Sequence, residues 1–206
     1  MSRILTTKDS LLNYAAWYAM RYFPSFRKLR EALMKKSLNN EDLVASVMKE
    51  MTAYISEERT VDGLVRMYTE QSKTRPYIEQ KLRLKKFGED IITATLKSYH
   101  NSFISWTSYE QAITRKMNDY LEKNKSKTYI IGTLSQKYPN FKNEIRTLLN
   151  DVAPDETETI QAELTKLSEK YDIRHQKERQ KVVQKLCLKG FSYNRVREII
   201  NKKDLS

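Results

Sequence analysis

The sequence predicts an all-α protein built from tandem three-helix, helix-turn-helix-like repeats in an elongated or curved array. Three observations point there. Glycine and proline number only four each in 206 residues, while the helix formers Leu, Lys, Glu, Gln, Arg and Met dominate. Apolar residues recur three and four positions apart, the spacing that gathers them on one face of a helix. The same apolar pattern also returns four times along the chain, as repeat architectures do.

Each copy reads as an apolar residue, a leucine four positions on, a bulky residue five further, and another apolar residue five beyond that. The second copy is Ile78, Leu82, Phe87 and Ile92, with Leu96 one turn later. The fourth is Val182, Leu186, Phe191 and Val196, followed by Ile200. The first fits as Leu29, Leu33, Leu38 and Leu43, followed by Val47. The third runs Ile130, Leu134 and Tyr138, then Ile145 and Leu149, with its turn altered around Pro139. The copies start 49, 52 and 52 residues apart.

Upstream of each lies another apolar helical face: Leu12/Ala15/Ala16/Ala19, Val61/Leu64/Val65/Tyr68, Ile113/Met117/Tyr120 and Leu164/Leu167/Tyr171. A unit is therefore helix a, a basic connector, helix b, a tight turn and helix c. Units this small bury limited cores and are expected to stack on neighbours. The expected boundaries are 1–56, 57–100, 101–153 (atypical) and 154–206. Pro76 suits the first turn of a helix b. The stretches "SYHNSFISWTS" and "DVAPDETET" separate the later units.

Composition narrows the function. Thirty-eight basic against 26 acidic residues give a net charge of +12, which favours an anionic partner, nucleic acid first. The four segments 1–58, 59–107, 108–158 and 159–206 carry +2, +4, 0 and +6. The single cysteine, Cys187, fits a reducing compartment and reads as a buried, inert thiol between Leu186 and Leu188. The opening "MSRILTTKDSLLNYAAWYAM" lacks the apolar stretch of a signal peptide. No run approaches the roughly 18 apolar residues of a membrane span. A cytoplasmic, monomeric protein without membrane contact is expected.

Catalytic constellations are missing from the sequence. Its four glycines stand apart, so neither a dinucleotide fingerprint nor a phosphate-cradling loop is written. His100 and His175 have no cysteine or carboxylate at metal-ligand spacing. Glu57-Glu58 and Glu89-Asp90 open apolar helices, where acidic residues suit the helix dipole. The expectation is a protein that is not an enzyme and takes no cofactor or metal.

The positive charge lies between the apolar positions of helix b, on its outward face. It includes Arg27, Lys28, Arg30, Lys35 and Lys36, then Lys81, Arg83, Lys85 and Lys86, then Lys177, Arg179, Lys181, Lys185 and Lys189. A stripe repeated through stacked units can track an anionic polymer. Helix c separates the units. In the second it opens "GEDII", which repels phosphate. In the fourth it opens "SYNRVREII", where Asn194, Arg195 and Arg197 can reach phosphate or base edges.

The segment "EERTVDGLVRMYTEQSKTRPYIEQKLRLKKFGEDII", Glu57 to Ile92, resembles the bacterial RecX regulatory proteins. Glu57, Glu58, Arg59, Leu64, Val65 and Arg66 match that family's acidic-Arg and Val-Arg motif, and Leu82, Lys85, Lys86 and Phe87 match its Leu-x-x-Lys signature. "LCLKGFSYNRVREII" repeats the second signature with Gly190 in place. The departures are Thr60-Val61 for the usual Phe-Ala, Gly88 after the bulky residue, and four units where three are usual.

The resemblance implies a regulator, expected to be a negative modulator, of the RecA recombinase. It would bind the RecA–DNA filament in repair, recombination and the SOS response. Filament contacts are then expected at Arg27, Arg30, Lys73, Arg75, Lys81, Arg83 and Lys85. Direct contacts to single- or double-stranded DNA are expected at Lys185, Lys189, Asn194, Arg195 and Arg197. The competing expectation is a helix-turn-helix-like protein acting on nucleic acid alone.

Overall fold

The computed structural model describes residues 4–203, and all the regular structure among them is helical. Helices α1 (Lys8–Tyr22), α2 (Phe26–Lys36) and α3 (Glu41–Tyr54) form a first group. Helices α4 (Glu57–Glu70), α5 (Arg75–Leu84) and α6 (Glu89–Ser98) form a second. A short α7 (His100–Ile104) and a 3-10 turn (Trp106–Ser108) follow. The third group is α8 (Glu110–Glu122), α9 (Lys127–Lys137) and α10 (Lys142–Val152), and the fourth is α11 (Glu156–Ser168), α12 (Gln176–Leu188) and α13 (Tyr193–Lys203). The chain divides into two compact units, unit 1 over residues 1–108 and unit 2 over 109–206, each holding two groups.

Local chemistry sets the helix ends. The side chains of Thr7, Ser25, Asn40, Ser56, Ser126 and Asp155 each accept a bond from an amide in the first turn of the helix they precede. Such a cap contributes about 1 kcal/mol by satisfying an amide that has no partner within its own helix. Where α5 lacks a side-chain cap, Pro76 in its first turn removes a donor instead. Residues at positive φ follow many of the helices: Phe23, Ser72 and Asn124 after three of the four helices a, and Leu38–Asn39, Lys86 and Gly190 after three of the helices b.

The cores follow the repeated pattern. In the second group Val61, Leu64, Val65, Ile78, Leu82, Phe87, Ile92 and Leu96 are buried together. Ile160, Leu164, Val182, Leu186, Phe191, Val196 and Ile200 do the same in the fourth. Between them, the third buries Ile113, Met117, Ile130, Leu134, Tyr138, Ile145 and Leu149. Its Tyr109 packs on Phe141 and Tyr138 at 5.3 and 5.7 Å, and burial pushes the phenol up to about 12.

The first group departs from the expected register. Leu38 is 69% exposed and lies at positive φ, and Leu43 is only part-buried. Helix α2 ends at Lys36, and Leu38 and Asn39 form the turn before Asn40 caps α3. The core is instead filled by Val44, Val47 and Met51. On α1 the buried pair is Leu11 and Ala15; Leu12 and Ala19 are part-buried and Ala16 is exposed. The stretch 98–108 is more than a separator, because α7 inserts Phe103 into the second core. Cys187 is half-buried and Leu188 exposed, so the thiol is less enclosed than its neighbours in sequence suggest.

Candidate functional site

The basic residues divide into those that hold the fold together and those that face outward. At the joint inside unit 1, Ser25 Oγ caps α2 and donates to the Lys85 carbonyl at 2.7 Å. Two carbonyls left open at helix ends are met by lysines: Lys28 Nζ donates to Leu84 O at 3.1 Å, and Lys85 Nζ donates to Tyr22 O. Glu57, at the start of α4, accepts from the Phe26 amide. Burial and the nearby charge of Lys28 lower the Lys85 pKa, so holding it charged offsets part of what its bond contributes, and that cost is relieved as pH rises from the lowered value towards the ordinary 10.5. Lys85 is a fastener rather than an outward-facing contact.

Unit 2 repeats the joint 101 to 104 residues later. The Ser126 amide donates to the Lys189 carbonyl at 3.0 Å, and Lys189 Nζ reaches Lys123 O at 3.1 Å. The same ammonium pairs with Glu163 at 2.5 Å, and Asn124 donates to that carboxylate at 2.5 Å. Glu163 is buried at the position where unit 1 has Leu64. Burial pushes its pKa up, but the bonds from Asn124 and Lys189 outweigh it and hold the carboxyl below its ordinary range. Lys189, expected to touch DNA, is therefore a second fastener. Neither Ser25, Ser126 nor Glu163 stood out in the sequence, although each serine immediately precedes a helix b and Glu163 interrupts an apolar stripe.

Other expected contacts are part-engaged. Arg83 pairs with Glu79 at 2.6 Å and Glu89 at 2.7 Å, an exposed network that raises its pKa chiefly through the Glu89 bond. Arg27 lies 3.9 Å from Glu31, which Lys86 holds at 2.6 Å. Lys73 and Lys81 sit 5.7 and 5.4 Å from the Tyr77 ring centre. Lys185 caps Tyr171 at 5.6 Å. Arg195 donates to Thr157 at 2.8 Å and lies 3.7 Å from Glu198, on the wall of an open groove of about 460 Å³ between α11 and α13.

Arg30, Arg75, Asn194 and Arg197 are exposed and form no ion pair or side-chain hydrogen bond among the described residues. The structure thus brings Lys73 and Lys81 to the Tyr77 ring, with Arg75 at the first residue of α5, and places Asn194, Arg195 and Arg197 on the first turns of α13.

Among the described residues no cluster of His, Cys, Asp and Glu could hold a metal ion, and no helix is long and apolar enough to cross a membrane. No family model, curated protein or solved structure matches this chain.

Proposed function

We propose that the chain is a non-enzymatic regulator of a RecA recombinase that binds the recombinase–DNA filament and restrains it. The segment Glu57–Ile92 carries the reading. Its apolar motif residues Leu64, Val65, Leu82 and Phe87 are accounted for by one core. Its arginines Arg66 and Arg75 are exposed and hold no ion pair among the described residues. Charges that a fold leaves without partners, at the motif position Arg66 and at Arg75 in the connector, are available to something outside it. The outward cations around Tyr77 suit the same use, since Arg and Tyr are common anchors at protein interfaces.

The test compares binding to bare DNA and to RecA-coated DNA at matched physiological salt. Preference for the coated form, and its loss in the Arg66→Ala/Arg75→Ala double variant at unchanged melting temperature, is the expected result. Equal binding to both forms would defeat the reading.

The second reading, direct action on DNA, is favoured by one observation: Asn194 and Arg197 stand exposed on the first turns of a basic group. Replacing Arg195 and Arg197 by Ala should then lower bare-DNA affinity and flatten its salt dependence, since each phosphate contact releases counterions.

A further inference from the structure

In unit 1 the last turn of α1, the end of α3 with its linker, and α4 from Arg59 to Met67 enclose an open groove of about 630 Å³. Met20, Phe23 and Tyr54 stand on it with exposures of 78%, 50% and 80%. Arg59 is the one charged residue among its described lining.

Two residues of this groove are not the ones local rules favour at their positions, although the Phe23 amide does close α1 by donating to the Ala19 carbonyl. Phe23 ends α1 at φ 45°, a left-handed conformation that a bulky side chain adopts at a cost. The residues at the matching place in the next two groups, 49 and then 52 positions on, are Ser72 and Asn124, and Asn tolerates that conformation well. Gly63 lies inside α4, where glycine costs about 1 kcal/mol relative to alanine. A Cβ built there would meet nothing within 4 Å, so packing does not require the glycine. It leaves the groove floor bare. Departures of this kind concentrate where a chain does something besides fold.

The matching corner of unit 2 is built differently. In place of Phe23, Leu64 and Met67 it has Asn124, Glu163 and Lys166, and both Asn124 and Lys166 pair with Glu163. One corner is closed by polar pairs; the other is left open, apolar and positive at one point. Phosphate finds no lysine along this groove, which argues against nucleic acid as its occupant.

We infer that the groove docks a segment of a partner protein whose apolar side chains enter beside Met20 and Phe23 and whose carboxylate meets Arg59. The inference rests on this geometry and is independent of the recombinase reading.

The experiment uses the full chain and a labelled amphipathic peptide with leucines on one face and a single glutamate, followed by fluorescence anisotropy. Exchanging that glutamate for lysine should weaken binding about tenfold, and Arg59→Glu should reverse the preference, as charge complementarity requires. Phe23→Asn is the sharper variant. It should raise the melting temperature by a few degrees as the left-handed residue is relieved, yet weaken the peptide by roughly tenfold. Met20→Ser, at an exposed site, should weaken the peptide with no change in melting.

Failure of the wild type to bind either peptide would overturn the proposal. So would unchanged peptide affinity in Phe23→Asn, or a lowered melting temperature in that variant. Concentration-dependent dimerisation abolished by Phe23→Asn would overturn it in favour of a second copy of this chain.

Discussion

At the joint of unit 1 a serine hydroxyl meets the Lys85 carbonyl, and the Lys85 ammonium reaches back to the end of α1. At the joint of unit 2 a serine amide meets the Lys189 carbonyl, and the Lys189 ammonium reaches back to the end of α8. The backbone framework is the same because both joints answer the same need, unsatisfied groups at helix ends. The side chains differ. Unit 1 adds an exposed Lys86–Glu31 pair, while unit 2 buries Glu163 beneath Lys189. Helix-end chemistry thus fixes where two groups join, and the surrounding side chains set how much each joint depends on charge.

The largest expected effect tests whether the two units are equivalent at their centres. Leu82→Ala and Leu186→Ala each remove a fully buried side chain and should cost on the order of 2–5 kcal/mol by denaturant titration. Loss in only one of them would break the equivalence.

Next come the fasteners themselves. Lys189→Met leaves Glu163 buried without its main partner and should cost about 3 kcal/mol. Lys85→Met removes a bond to one carbonyl and should cost about 1 kcal/mol. Equal losses would mean that buried charge does not distinguish the joints.

Acid should sharpen the same difference. The Glu163 carboxyl is held below its ordinary 4.5, so its contribution is complete above that value and is lost as pH falls through the lowered folded one. Glu163→Gln should therefore flatten the acid limb of the stability profile. A profile that keeps its wild-type slope would assign that limb to other carboxylates.

The residues after Lys85 and Lys189 make a finer comparison. Gly190 lies at φ 95°, and a Cβ there would come within 2.6 Å of the Tyr129 Cβ. Gly190→Ala should cost about 2 kcal/mol from conformation and crowding together. Lys86 holds the matching place at φ 64°, and Lys86→Gly should stay within about 0.5 kcal/mol because the eased backbone offsets a lost surface pair. The smallest effect is expected for Arg83→Ala, whose exposed ion pairs should leave the melting temperature unmoved.

Much of this fold could be read from residue spacing. The apolar positions of the second, third and fourth groups are set by helical periodicity, and Pro76 marks a helix start by local chemistry. Leu38 misled because its place in the pattern matched Phe87, whereas its backbone turns left-handed beside Asn39 and carries the side chain out to solvent. Composition showed which residues were basic but not how they were used. Lys85 and Tyr22 lie 63 residues apart, and Lys189 and Lys123 lie 66 apart. Spacing within one helix carries no trace of such meetings. Arg30, Arg75 and Arg197 face outward as read, since nothing distant reaches them.

The serine-to-carbonyl joints also bear on how the chain would yield to force. Each lies across the connection between two groups, binding residues about sixty positions apart, so the bracketed segments, 25–85 and 126–189, cannot lengthen until that bond breaks. Drawn out from its termini, the protein should show two protected steps, each releasing about sixty residues, as one joint and then the other gives way.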